Sequence, residues 1–290
     1  MKLGVVFPQT EMGGDPGAVR SYAEAVAGLG YDHIVAYDHV VGADPSVHKG
    51  WDGPYDLRST FHEPFVLFGY LAAVCRLELV TGIVILPQRQ SVLVAKQAAE
   101  VDLLTEGRFR LGIGLGWNRV EYEALGKDFS NRGKRIAEQV SLMRRLWTEE
   151  SVSFQGEFES VTGAGLAPMP VQRPIPVWFG AQATSKVSLR RVGQLADGWF
   201  PLVGPGPALD QALRLVGEAA VLAGRDPADI AMEGRLDFAE GDLERLGQQA
   251  ARWRSIGATH LSVNTMGAGL QSLDGHLGAL EAVGDVLAAI

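Results

Sequence analysis

Leu77-Glu78-Leu79-Val80-Thr81-Gly82-Ile83-Val84-Ile85-Leu86 and Phe109-Arg110-Leu111-Gly112-Ile113-Gly114-Leu115-Gly116 are the two stretches that decide the fold. Each is a short, mostly apolar run of the kind that reads as a buried strand. Between them apolar residues fall at spacings of three and four, the mark of a helix with one buried face. The same rhythm continues outward in both directions. Lys2–Phe7 and His33–Tyr37 are strand-like upstream; Ile175–Gly180, Asp197–Pro201, Ile230–Phe238 and His260–Thr265 are strand-like downstream. Helical stripes intervene at Val19, Tyr22, Val26 and Leu29, and at Ile136, Val140, Met143 and Trp147. Two more follow at Leu243, Leu246, Ala250 and Trp253, and at Leu277, Leu280, Val283 and Leu287.

Eight strands, each followed by a helix, predict an α/β chain, either a closed (β/α)8 TIM barrel or an open doubly wound sheet. The count favours the barrel. An open dinucleotide-binding sheet also calls for Gly-x-Gly-x-x-Gly after its first strand, and Phe7-Pro8-Gln9-Thr10-Glu11-Met12-Gly13-Gly14 does not supply it. No linker or internal repeat divides the chain, so residues 1–290 are expected to form a single barrel domain. Two connections exceed ordinary loop length: Val41–Thr60 after strand two and Thr148–Pro174 before strand five. Insertions of that size are commonly lids or binding elements.

Composition removes several function classes. Hydrophobic residues make up 47% and charged residues 21%, the balance of a globular chain with an ordinary core. No stretch approaches the roughly 18 apolar residues of a membrane span, and Met1–Pro8 does not read as a signal peptide. Cys75 stands alone, so there is no internal disulfide, and no Cys/His cluster has metal spacing. A cytoplasmic protein without a metal is expected. The net charge is −8 and no Lys/Arg-rich run occurs, which argues against nucleic acid as a partner.

A barrel carries its active site at the C-terminal ends of its strands. That rule selects Gln9 and Thr10, Asp38 and His39, Leu86–Arg89, Gly114–Asn118, Gly180–Thr184 and Asn264–Met266. Asp38-His39 is the most suggestive pair, because a carboxylate beside an imidazole can orient it or raise its pKa for acid/base work; a loop-capping histidine is the plain alternative. Gly180-Ala181-Gln182-Ala183-Thr184 passes from strand to helix with small residues, as a phosphate site does, or as a tight turn with Thr184 as N-cap does. Gly112, Gly114 and Gly116 either form a weak nucleotide motif or leave room for a flat ring. His33 and His260 open strands at the stability end and read as structural. No Gly-x-Ser-x-Gly elbow or phosphate loop appears.

An ordered set of segments resembles the luciferase-like monooxygenase superfamily, in the branch that uses the deazaflavin coenzyme F420. Ala36-Tyr37-Asp38-His39 resembles the ending of its second strand. Leu77–Arg89, Ala95-Lys96-Gln97 and Val101–Phe109 resemble its third-to-fourth-strand block, which continues through Leu111–Trp117, Glu121–Gly126 and Arg132-Gly133. Phe154–Phe158, Pro168–Pro174 and Asp197-Gly198-Trp199 complete the match. The last ninety or so residues match only in their strand–helix rhythm.

The resemblance implies the barrel already favoured by counting, and an oxidoreductase transferring a hydride between F420 and a small organic substrate. The ring is then expected near Asp38 and His39, with His39 as acid/base group or as the residue stabilising charge on the ring, and Asp38 orienting it. A non-prolyl cis peptide is expected at Gly82–Ile83 behind the ring, and the cofactor phosphate at Gly180, Ala181 and Gln182. Relatives that oxidise a sugar phosphate carry an acidic residue after the strand-four glycines; here Trp117 stands there, and with Trp51 or Tyr55 it is expected to wall an apolar substrate pocket. FMN, with a separate reductase and oxygen chemistry, is the rival cofactor; a non-catalytic cofactor-binding barrel is the other alternative. A homodimer is expected by analogy.

Overall fold

The computed structural model describes residues 1–289. The chain begins with β1 (Lys2–Val6), α1 (Gln9–Met12), α2 (Pro16–Gly28) and β2 (His33–Ala36). After the first insertion come α3 (Pro64–Ala72), β3 (Glu78–Thr81), β4 (Val84–Ile85), α4 (Ser91–Leu104) and β5 (Phe109–Gly114). Next are α5 (Arg119–Ala124), α6 (Arg132–Thr148), β6 (Val152–Gln155), β7 (Ser160–Ala164) and β8 (Val177–Ala181). The chain finishes with α7 (Lys186–Leu195), β9 (Gly198–Pro201), α8 (Pro207–Leu222), β10 (Ala231–Asp237), α9 (Leu243–Ser255), β11 (His260–Asn264) and α10 (Leu273–Ala288).

Hydrogen-bonded strands run β3-β2-β1-β11-β10-β9-β8-β5-β4, and β3 also pairs with β5, which closes the barrel. Every barrel pairing is parallel. The strand expected at Leu77–Leu86 is therefore split in two, both halves paired to β5. Leu79 faces Phe109 and Val80 faces Arg110, whereas Val84 faces Ile113 and Ile85 faces Gly114. One residue more lies on the β3–β4 side, a bulge. It falls at Gly82–Ile83, whose peptide bond is cis, as the resemblance implied.

The stripes read from the sequence do pack inward. Tyr22, Val26, Ile136, Val140, Met143, Trp147, Leu246, Trp253, Leu280 and Val283 are buried; Leu29, by contrast, caps α2 and is exposed. Helix starts follow ordinary capping rules: Asp15 accepts from Gly17 N ahead of Pro16, and Glu63 accepts from Val66 N ahead of Pro64. The second insertion differs from expectation. It contains the antiparallel hairpin β6–β7, anchored where Glu138 of α6 accepts from the amides of Glu157, Phe158 and Glu159. No helix among the described residues is long and apolar enough to cross a membrane.

The glycines of β5 serve the neighbouring strand. A Cβ on Gly112 would collide with the carbonyl of Thr81 on β3. Thr81 Oγ1 also donates to Gly112 O at 2.7 Å. Gly112→Ala is therefore expected to cost about 1–3 kcal/mol, the scale of core overpacking. Chemical denaturation of variant and parent checks this; an unchanged midpoint would show that the two strands can move apart freely.

Candidate active site

The C-terminal strand ends surround a cleft of about 990 Å³, at the upper end of ordinary ligand pockets. Val6, Val35, Ile83 and Phe200 give its lining an apolar face, beside the polar side chains of Glu233, Arg235 and Ser262. Ile83 is the centre of that apolar face because the strands beside it are bare. A Cβ on Gly114 of β5 would come within 2.6 Å of the Ile83 side chain, and one on Gly180 of β8 within 3.2 Å. Both glycines thus make space for Ile83 to lie flat across the strand ends. The glycine run gives room for a planar group indirectly, through this platform.

Asp38 and His39 both line the cleft, yet they do not form the pair that the sequence suggested. Asp38 Oδ2 accepts from Ile85 N at 3.1 Å and Oδ1 from Arg89 Nη2 at 2.8 Å, so both oxygens are engaged away from the imidazole. Arg89 in turn bonds Glu63 Oε1 at 2.8 Å. Burial lifts the Asp38 carboxyl above the usual range although Arg89 pulls the other way. Asp38 is a clamp fixing β4, just past the bulge, to the end of β2.

The carboxylate beside His39 belongs instead to Glu121, which the sequence reading did not single out. Its Oε2 lies 3.6 Å from His39 Nδ1, and its side chain is 0% exposed. Glu121 also accepts from Val40 N, from Val41 N at 3.3 Å and from Gln88 Nε2 at 3.1 Å. Asn118 caps α5, accepting from the amides of Val120 and Glu121 and donating to Val41 O. The Asn118-x-x-Glu121 spacing is that of a capping box; here the glutamate reaches across to the turn after β2. That spacing, placed straight after a barrel strand, is the sequence signal for it.

Aromatic rings enclose the imidazole. Phe61 lies 4.7 Å from it, Tyr55 5.2 Å and Trp117 5.6 Å, centroid to centroid. Trp117 and Tyr55 line the cleft as expected. Trp51 does not line it. It stacks behind Trp117 at 5.5 Å and donates Nε1 to Tyr55 O, so its part is to brace the wall.

Across the cleft, Gly180, Ala181 and Gln182 line the wall where β8 ends. The N-cap of α7 is Ser185, accepting from Ser188 N, one residue beyond the predicted Thr184. Arg191 of α7 donates to Gly133 O at 2.7 Å, holding the start of α6 against α7. Arg119 and Arg132 line the same cleft, and their guanidiniums lie 4.2 and 3.5 Å from the Phe129 ring centroid. Among the described residues neither guanidinium has a carboxylate partner. In a chain of net charge −8, this is a built anion pole.

The other histidines are structural. His33 is buried inside the barrel, 2.9 Å from Glu233 Oε1, and His276 is buried against Thr265 Oγ1 at 2.9 Å. His62 contacts Gly13 O at 3.2 Å.

The chain is similar, in sequence or in fold, to proteins that use different cofactors. The F420-dependent glucose-6-phosphate dehydrogenase of Nakamurella multipartita is 28% identical over 83% of this chain and 69% of that protein. An F420-dependent secondary alcohol dehydrogenase, solved with an F420-acetone adduct, superposes with a TM-score of 0.79 at 15% identity, covering 99% of this chain and 98% of that one. The oxygenating constituent of 3,6-diketocamphane monooxygenase from Pseudomonas putida, solved with FMN, superposes at 0.76 and 15% identity, covering 100% and 98%. The luciferase-like monooxygenase profile runs along residues 1–278, nearly the full barrel, and the chain belongs to that family.

Proposed function

We propose that this protein is an oxidoreductase that transfers a hydride between coenzyme F420 and a small organic substrate. The observation that carries the reading is that one cleft is lined by the His39 imidazole, by Ile83 packed over Gly114 and Gly180, and by Arg119 and Arg132. A planar ring with a phosphate-bearing tail fits that arrangement end to end. Ile83 would support the ring, and Gly180, Ala181, Gln182, Ser185, Arg119 and Arg132 would hold the phosphate. Bound there, the deazaflavin supplies a carbon that gives or takes a hydride, two electrons at once.

The chain's own contribution is position and a proton. His39 gives a proton to the substrate oxygen or nitrogen during reduction and takes one during oxidation. Trp117, Tyr55 and Phe61 keep water from the imidazole and present an apolar face to the substrate. Trp117 stands where sugar-phosphate oxidisers carry an acid, and its ring forms part of the wall; this supports an apolar substrate.

Titration of cofactor-stripped protein with F420 and with FMN tests the reading by fluorescence. The expected result is micromolar or tighter binding of F420 and weak binding of FMN. Tight FMN binding without a response to F420 would replace the proposal with an oxygen-dependent monooxygenase served by a reductase. Binding of both, with no turnover of any acceptor, would indicate a non-catalytic barrel.

A further inference from the structure

We propose that Glu121 is the positioning residue of this site: it holds His39 through Nδ1, so that Nε2, on the far edge of the ring, is the nitrogen offered to the cleft. The inference rests on the hydride-transfer reading only for what the proton is used for.

Charge accounting carries it. A buried carboxylate is costly unless a cation or several donors meet it. Glu121 is sealed from solvent and pairs with no arginine or lysine among the described residues; His39 is its ion-pair partner. Asp38, the nearer carboxylate in sequence, is already neutralised by Arg89. The rings against the imidazole are Tyr55 from the first insertion, Phe61 just after it and Trp117 from the β5–α5 connection, none of them charged at neutral pH. Glu121 is therefore the one carboxylate whose charge an imidazolium at position 39 answers. Burial pushes its carboxyl up, but the contact with His39 and the donors Val40 N and Gln88 outweigh burial and hold it below the usual range. An ionised Glu121 favours a proton on Nδ1, leaving the Nε2 lone pair as base in the neutral ring and Nε2–H as acid in the charged one.

The 3.6 Å separation is beyond hydrogen-bond reach, as orienting contacts often are before substrate binds. Three donors fix the carboxylate where it is, two of them the amides that follow His39 in the chain. Glu121 thereby sets both the turn that carries the imidazole and the charge behind it, without itself lining the cleft.

The test reads the imidazole directly in free protein, with neither cofactor nor substrate. Long-range nitrogen–proton NMR on histidine-labelled protein gives the tautomer of His39. In the parent, the neutral ring is expected as the Nδ1–H tautomer. In Glu121→Gln, that preference for Nδ1–H is expected to be lost, with Glu121→Asp restoring part of it. A neutral Nε2–H tautomer in the parent would overturn the proposal without any variant. So would an unchanged His39 tautomer in folded Glu121→Gln protein. Absence of F420 binding would end the hydride-transfer reading and leave this result standing.

Discussion

His39→Ala is expected to lower kcat by about 10²–10⁴-fold, the range that one positioned acid/base group contributes. Deazaflavin affinity should change by no more than about threefold. The two quantities separate because the surfaces are separate. The platform is Ile83 flanked by Gly114 and Gly180, and the anion pole is Arg119, Arg132 and the end of β8. Neither uses the imidazole. Loss in kcat with a matching loss in kcat/KM would mean the interaction is made in the transition state alone. Stopped-flow measurement of reduced F420 oxidation by an accepted substrate, parent against variant, reads the step. A variant that reoxidises F420 at the parental rate would remove His39 from the chemistry, leaving the aromatic box to bind substrate and nothing more.

Which parts of this were legible in the sequence follows from how far apart the causes lie. The eight barrel strands are buried on both faces and the large helices on one, so apolar runs and three–four spacings report them directly. The hairpin β6–β7 escapes that reading because most of its residues are half or fully exposed, and its anchor is Glu138 on α6. Position on the strand ends was enough to bring Asp38, His39, Gly180 and Trp117 into the cleft. Partnership was not. Adjacency suggested that Asp38 orients His39, but neighbouring residues at a strand end point to different places, and Asp38 turns to Ile85 N and Arg89. Glu121 meets His39 only because closure brings the β5–α5 connection beside the end of β2. The glycines of β5 looked like space for a ligand; their first use is to admit the bulged neighbouring strand.

Arg110→Ala is the second large effect, this time on stability. Inside the barrel, where Glu233 and Ser262 also line the cleft, Arg110 Nη1 lies 2.9 Å from Glu233 Oε2, its Nε 3.1 Å from Glu78 Oε2, and its guanidinium 4.4 Å from the Trp178 ring centroid. His33 and Ser262 complete the shell around Glu233, and the Arg110 and Glu233 side chains are 4% and 1% exposed. Removing the arginine strands a buried carboxylate, a loss of about 3–5 kcal/mol and on the order of 10 °C in Tm for a chain of this size. The pH dependence has a definite sign. Burial pushes the Glu233 carboxyl up, yet His33 and Arg110 hold it far below its ordinary 4.5. Its contribution is therefore full above about pH 4.5 and is lost as pH falls toward the folded value. His260 sits beside this network, pushed down to about 3 by burial, with Arg110 adding to the effect. It is neutral when folded and takes up a proton on unfolding, so parental stability also declines as pH falls from 6.5 toward 3. In Arg110→Ala the stranded carboxyl protonates more readily and His260 is relieved of a neighbouring cation. The gap between parent and variant should then be widest near pH 7.5 and narrow at pH 4. Urea midpoints at the two values measure it, and a gap that stays constant or grows in acid would show that Arg110 stabilises the barrel through packing on Trp178 and not through charge.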